Sequence, residues 1–192
     1  SEMCIRDSNY VRCVFESSKK ECFVGTLSGL QHYSADADRF TDIPLILQDG
    51  IIVEPNVAAI EELSNGDLLV GTAGQGLFKI TNTHKGLVGI SMEKRIPIPI
   101  VNALHEDRNG NLWISAGENG IFRIDRNQQL HCYQKGANES EYTISSICET
   151  PDKQIYIGSL GKGLLKYNPT LDLFEPIIYA NHPESVSYTH LT

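Results

Sequence analysis

The chain has 192 residues, 41% of them hydrophobic, and is therefore long enough to bury a sizeable core. Its formal net charge of -8 argues against a nucleic-acid partner, because no basic stripe is present to meet phosphate groups. The longest apolar run, residues 43–47, is broken by Pro44, so we expect no membrane contact in this segment.

A unit of about 44 residues is written four times along the chain. Each copy opens with an apolar stretch that ends in a glutamate: Glu16, Glu62, Glu106 and Glu149. A polar turn follows, then an apolar triplet centred on a large residue: Phe23, Leu69, Trp113 and Tyr156. A pair of small residues and a glycine precede the next apolar stretch. The pattern predicts short strands, because the apolar runs are brief, rich in β-branched and aromatic residues, and bounded by turn residues.

In chain order, residues 1–9 fit no strand of the repeat, and we expect a non-native or incomplete end there. The first copy occupies about 10–52 and the second about 53–97, with residues 48–56 interpreted as a longer insertion in the first linker. The prolyl stretch of residues 95–100 is interpreted as a stiff linker into the third copy.

The third copy, about 98–140, is the clearest. It predicts strands at residues 101–106, 111–115, 121–125 and 129–133, with Asn109-Gly110 supplying a tight turn. The fourth copy occupies about 141–180, so that the repeats together cover residues 10–185. Residues 186–192 are expected to be a non-native end or the start of a fifth copy.

Four short strands repeated in tandem are typical of β-propeller blades. We therefore predict an all-β fold without α-helix: an arc of four four-stranded antiparallel blades that forms part of a larger propeller. The least regular strand of each copy is the fourth, predicted at residues 39–43, 88–94, 129–133 and 174–178. An outer edge strand meets water, which explains why fewer of its positions are apolar.

Residues 101–125 of the third copy resemble the two-component regulator propeller repeat, whose pattern joins a Glu-Asp pair, a turn glycine, Leu-Trp-Ile and a later glycine. Glu106, Asp107, Gly110, Trp113 and Gly120 carry the resemblance. The second copy has Leu69 in place of the tryptophan, the fourth has Tyr156, and the first is the most eroded.

The resemblance implies a place in the periplasmic sensor of Bacteroidetes-type hybrid two-component systems, built from seven-bladed propellers. It further implies a non-catalytic module that senses a ligand, with oligosaccharides as the class suggested by related sensors, in a homodimeric parent receptor. Any histidine kinase activity would lie in domains downstream. Similar repeats in other extracellular propellers leave two alternatives open, a propeller lyase or hydrolase and a protein-interaction scaffold.

Recurrence decides how the candidate residues are interpreted. A catalytic group is needed once, so the four glutamates are predicted to be structural acceptors of N–H groups from the adjoining turn. The large residues at the triplet centre are predicted to pack between blades. No catalytic, cofactor-binding or metal-binding set is predicted. Arg12 and His105, both on predicted innermost strands, remain the two candidates for a ligand or active site at the channel.

Overall fold

The computed structural model describes residues 10–133 and 143–177, which form four β-sheets in chain order. The first sheet comprises β1 (Val11–Glu16), β2 (Cys22–Thr26), β3 (Gly29–Ser34) and β4 (Arg39–Ile43). The second comprises β5 (Leu45–Ile46), β6 (Ile52–Val53), β7 (Val57–Glu62), β8 (Leu68–Thr72), β9 (Gly76–Thr83) and β10 (Gly86–Ser91). The third comprises β11 (Ala103–Glu106), β12 (Leu112–Ser115), β13 (Ile121–Ile124) and β14 (Leu130–Tyr133). The fourth comprises β15 (Thr143–Glu149), β16 (Ile155–Leu160), β17 (Gly163–Asn168) and β18 (Leu173–Pro176).

The sheets are the blades of a β-propeller, as predicted. Each blade has four consecutive strands that pair antiparallel, and in the second blade these are β7 to β10. The first of the four strands is the innermost, and β1, β7, β11 and β15 contact one another in succession. Within the described residues, the sole helical turn is a 3-10 turn at Gly117–Asn119. No helix in those same residues is long and apolar enough to cross a membrane. The predictions for residues 1–9 and 186–192, and for the end of the last strand at residue 178, lie outside the described residues.

The insertion after the first blade differs from the linker that the sequence suggested. Residues 45–53 form a small hairpin whose strand β5 pairs parallel with β10, which extends the second sheet to six strands. Gly89 makes the close approach possible, because a Cβ there would lie 2.3 Å from the Leu45 side chain. The hairpin therefore belongs to the second blade, although most of it was assigned to the first.

Three apolar clusters fill the gaps between consecutive blades, and the triplet-centre residues lie in them. Phe23, Leu69 and Trp113 are each no more than 2% exposed, and each packs against the following blade, as predicted. Tyr156 is half-buried and lies beneath the ammonium group of Lys166 at 5.9 Å from the ring centroid.

The small pair lets each blade approach its neighbour. A Cβ on Gly25 would lie 2.5 Å from Val57 of the next blade, and one on Gly71 would lie 2.4 Å from Val101. Ser115 occupies the same place in the third blade and donates its hydroxyl proton to the carbonyl oxygen of Ile144 at 2.9 Å. A repeated position therefore serves the contact between blades rather than the blade itself.

The repeat glutamates join consecutive blades by a brace, defined here as the bond between a glutamate and the turn of the blade before it. Ser18 donates its backbone N–H and its hydroxyl to Glu62 at 2.6 and 2.7 Å. The same two groups of Ser64 bond to Glu106, and the backbone N–H of Arg108 bonds to Glu149 at 3.1 Å. The glutamates are structural acceptors, but the prediction that the adjoining turn supplies the N–H groups was wrong: the donors lie in the turn of the preceding blade.

The donor of each brace is the residue two positions after a glutamate, namely Ser18, Ser64 or Arg108. In the fourth blade this position holds Pro151, which has no backbone N–H to donate. Glu16 of the first blade pairs instead with Lys20 of its own turn at 2.7 Å.

Candidate functional site

The two faces of the arc differ because antiparallel strands return the chain to alternate ends. The turns after the first and third strands of each blade lie on one face. The turns after the second strand, together with the linkers between blades, lie on the other, which we call the linker face. The first strands line the channel between the two faces.

Arg12 lies on β1 at the linker-face end of the channel wall. The β1–β2 register shifts between Val11 and Cys13, so Arg12 is the extra residue of a β-bulge. Ala58 and Ser145 occupy equivalent bulges in the second and fourth blades. A bulge re-aims a side chain, and here the recurring bulge places a different residue at each blade. Arg12 is exposed and carries the only charge of the three.

His105 lies lower on the channel wall, on β11, and pairs with a glutamate of the previous blade. Its Nδ1 atom is 3.5 Å from an Oε1 atom of Glu61, which also accepts the backbone N–H of Glu106 at 3.0 Å. The interaction with Glu61 raises the pKa of His105, and the charges of Glu149 and Asp107 act in the same direction, against the opposing effect of burial. The channel wall therefore holds a histidine whose pKa lies above that of a free imidazole.

Arg12 and His105 are not brought into contact in the part of the chain that the structure describes. They lie on the first and third blades, and the partner of His105 is Glu61, which sequence reasoning missed. A signal was present, since Phe15, Glu61, His105 and Cys148 occupy one repeat position and the residue class at that position changes in every copy. Across residues 10–133 and 143–177, no group of three or more histidine, cysteine or acidic side chains could hold a metal ion.

A second polar cluster lies between the outer halves of the third and fourth blades, and we call it the arginine cage. The guanidinium group of Arg123 lies 5.4 to 5.6 Å from the ring centroids of Trp113, Tyr133 and Tyr167. Arg123 donates to the Tyr167 hydroxyl at 2.5 Å, and its other terminal nitrogen is 3.5 Å from Asp172.

The acid of the cage, Asp172, also accepts the hydroxyl protons of Tyr133 and Tyr167. These bonds hold the pKa of Asp172 below its usual range. Burial, reinforced by the bond to Asp172, raises the pKa of Tyr133. The aromatic rings thus already enclose a cation supplied by the protein, so we assign the cage a packing role.

A groove of about 460 Å³ opens on the linker face of the second blade. Its walls are Leu47 of the inserted hairpin, the Gly74–Gly76 turn and the prolyl linker around Ile98. The linker is fixed to that turn, because Gly74 and Gly76 both donate to the carbonyl oxygen of Pro99 at 3.0 and 2.8 Å. The only ionisable lining residue is Glu93, and the lining contains no aromatic ring on which a sugar could stack.

Comparison with known families agrees with the resemblance of the third copy. Residues 96–118 match the family model described as two component regulator propeller. That span contains the brace glutamate, Asp107 and Trp113. Asp107 accepts N–H groups from Asn109 and Asn111 and from the Trp113 indole, at 2.8 to 2.9 Å. Asp107, a characteristic residue of the repeat, therefore closes the turn of its own blade and fixes the Trp113 indole by a hydrogen bond. No curated protein is significantly similar in sequence.

Solved structures share the fold at low sequence identity. The extracellular domain of a protein described as a one-component system from B. thetaiotaomicron superposes with a TM-score of 0.72 at 16% identity, over 91% of this chain and 25% of that one. Virginiamycin B lyase from Staphylococcus aureus gives 0.62 at 15% identity, over 87% and 55%. PorZ, a surface component of the type-IX secretion system of Porphyromonas gingivalis, gives 0.63 at 13% identity, over 91% and 28%. The chain thus spans between a quarter and just over half of these larger proteins, and the likeness establishes the β-propeller fold.

Proposed function

We propose that the chain is a non-catalytic ligand-sensing module from the extracytoplasmic part of a hybrid two-component receptor. The observation that carries the proposal is the two-component regulator propeller match at residues 96–118, on a chain whose sheets form propeller blades. Fold likeness to an extracellular domain from B. thetaiotaomicron supports the location. In this proposal the parent receptor is a homodimer in the periplasmic space, and the downstream kinase lies outside these residues.

The use of the repeated polar residues supports a non-catalytic role. Both oxygens of Glu62 and of Glu106 are committed to braces, Glu149 gives one oxygen to its brace, and Asp107 is committed to its own turn. The residues that differ between the copies, along the channel and on the linker face, therefore remain for ligand recognition. Ligand specificity in propellers resides in such positions, because loops and linkers change without disturbing the packed blades.

Oligosaccharides are the ligand class that we propose to test first. The experiment measures binding of a panel of plant and host oligosaccharides to the full chain by calorimetry, followed by mass spectrometry of each bound sugar. We expect at least one saturable ligand that is recovered unchanged. Recovery of a product formed by hydrolysis or elimination would favour the enzyme alternative. If no member of the panel binds, oligosaccharides are rejected as the ligand class.

One observation favours an enzyme as the second candidate. His105 lies beside Glu61 on the channel wall, a pairing able to hold a proton donor in place, and the fold is shared with virginiamycin B lyase. The enzyme alternative requires a turnover that disappears in both His105→Ala and Arg12→Ala. If an activity is found and survives both substitutions, the channel pair is not its catalytic site. A protein-interaction scaffold, the third reading, would be recognised by a stable protein partner in the absence of any small ligand.

A further inference from the structure

Two buried polar atoms lack a hydrogen-bond partner where the inner strands of the third and fourth blades meet. They are Nε2 of His105 on β11 and Oε1 of Glu149 on β15. The Glu149 side chain is only 5% exposed, so water outside the fold does not satisfy it. A buried polar group without a partner destabilises a fold and is rare in proteins, which makes a pair of them at one junction unusual.

The other polar atom of each side chain is already engaged. Oε2 of Glu149 accepts the backbone N–H of Arg108 at 3.1 Å, and the Arg108 Nε atom lies 3.7 Å away. Nδ1 of His105 faces Glu61 at 3.5 Å. One polar atom of each side chain is therefore engaged, and the second polar atom of each is buried without a partner.

The two residues lie on neighbouring inner strands, β11 and β15, which contact one another. The charge of Glu149 helps to raise the pKa of His105. No ion pair within 4.0 Å joins them, however, among the described residues. A direct bond therefore does not account for the two unpartnered atoms.

The charges around the imidazole define the chemistry of a group that would satisfy both atoms. Glu61 faces the ring from β7, Glu149 from β15 and Asp107 from the turn after β11, while Arg108 is the cation nearest to Glu149. Three acids favour the imidazolium form, in which Nε2 carries a proton and donates. Oε1 of Glu149 accepts. A hydroxyl group fits both, because its oxygen accepts one hydrogen bond while its proton is donated in another.

We propose that His105 Nε2 and Glu149 Oε1 together bind one hydroxyl group, which accepts from the histidine and donates to the glutamate. The hydroxyl belongs either to an internal water or to a polyol or sugar that enters from the channel. In the second case the site deepens the proposed function and rests on it, because it supplies the first recognised atom of an oligosaccharide ligand. In both cases it links the third blade to the fourth from the inside.

The test is NMR spectroscopy of the full chain with 15N-labelled histidine. Internal water is detected by magnetisation transfer from long-lived water to the His105 ring, and a polyol is detected by titration with glycerol. Glu149→Gln removes the accepting charge and is expected to lower the pKa of His105 and to weaken glycerol binding about tenfold, the loss of one charge-assisted hydrogen bond. Glu62→Gln is the matched control, since that repeat glutamate has both oxygens on Ser18, and it should change neither quantity.

The outcomes separate the two sources and the two proposals. A long-lived water that persists in glycerol supports the site with water as its occupant, even if every oligosaccharide fails to bind. Saturable glycerol shifts that depend on Glu149 support a ligand hydroxyl. A direct His105–Glu149 hydrogen bond in a crystal structure, or the lack of both water and glycerol signals in the wild-type chain, would overturn the inference without any variant having to fold.

Discussion

The second and third blades meet through aliphatic side chains, whereas the third and fourth meet through aromatic ones. At the first of these junctions Leu69 packs against Val101, and Ile96 and Ile98 of the prolyl linker complete the cluster. At the other, Trp113 lies edge-on to Tyr167 at 4.8 Å between ring centroids, and the arginine cage surrounds it. The same repeat position, Leu69 in the second blade and Trp113 in the third, thus lies in two interfaces of different composition.

The inner halves of the two junctions are alike. Both have a glutamate brace, and both place a small residue of the second strand against the chain where it enters the next inner strand, at Val101 or Ile144. The difference lies in the outer halves, where residues outside the repeat pattern determine the packing. A few repeated contacts in the inner halves therefore keep the angle between neighbouring blades, and the residues of the outer halves are free to vary.

Removal of the triplet-centre side chain should expose the difference between the junctions most strongly. Trp113→Ala is expected to lower the free energy of unfolding by about 3–5 kcal/mol, and Leu69→Ala by about 2–5 kcal/mol, because Trp113 also loses its ring contacts and its bond to Asp107. Chemical denaturation of the two variants measures both losses. A smaller loss for Trp113→Ala than for Leu69→Ala would contradict the picture of a specialised aromatic junction.

The inner contact is tested by enlarging a glycine. Gly71→Ala places a methyl group 2.4 Å from Val101 Cγ1 of the next blade, and we expect a loss of about 1–3 kcal/mol in denaturation. Gly158→Ala is the matched control, since the new methyl would meet the rotatable Ser146 hydroxyl of the same blade. Adding Val101→Ala should restore part of the stability that Gly71→Ala removes. If the double variant is no more stable than Gly71→Ala, the contact between positions 71 and 101 is not the cause of the loss.

The arginine cage should matter more than its counterpart in the second blade. Arg123, 15% exposed, pairs across the strands with Trp113, while Lys79 pairs with Leu69 and is 42% exposed. We expect Arg123→Met to cost about 1–3 kcal/mol through lost cation–π and hydrogen-bond contacts. Lys79→Met should cost at most about 1 kcal/mol, because it removes a solvated ion pair with Asp67. Equal effects in thermal unfolding would remove the distinction between the junctions.

The smallest effect concerns acid and the brace between the first and second blades. Hydrogen bonds from Ser18 lower the pKa of Glu62 in the folded chain. A lowered folded-state pKa stabilises the fold above the pKa of the unfolded chain, and the contribution is lost as pH falls through the folded value. Glu62→Gln should therefore lower stability slightly at neutral pH and flatten the acid side of the stability profile, so that variant and wild type converge below the folded-state pKa of Glu62. If the free energy of unfolding has the same pH dependence in the variant and the wild type, protonation of Glu62 is not coupled to folding through the brace.

Much of this architecture was predictable from the sequence, because its determinants are local. The strands and turns follow from runs of four to six apolar residues between Gly, Asn and Asp, and the repeat locates each inner strand by its glutamate. The burial of Phe23, Leu69 and Trp113 follows from their recurrence, since a residue required in every copy is a packing residue.

The missed features all join residues from different copies. The brace links a glutamate to a turn 41 to 44 residues earlier, and one sequence does not show which neighbouring turn supplies the donor. Glu61 and His105, and likewise Arg123 and Asp172, come together only through the spacing between blades. The hairpin at residues 45–53 was missed because Pro44 and two-residue strands give no periodic signal.

The proline at position 151 has a consequence for how such arrays grow by gene duplication. An extra copy made from the second or third unit would arrive with both an accepting glutamate and a donating turn, so after any of the first three units it could form a brace to the blade on either side. A duplicate of the fourth unit would carry the accepting glutamate but no backbone N–H at the donor position. The blade after it would therefore lack a brace. A single imino acid thus makes one unit a poor template for expansion, and its replacement by serine would be the first step in making that unit copyable.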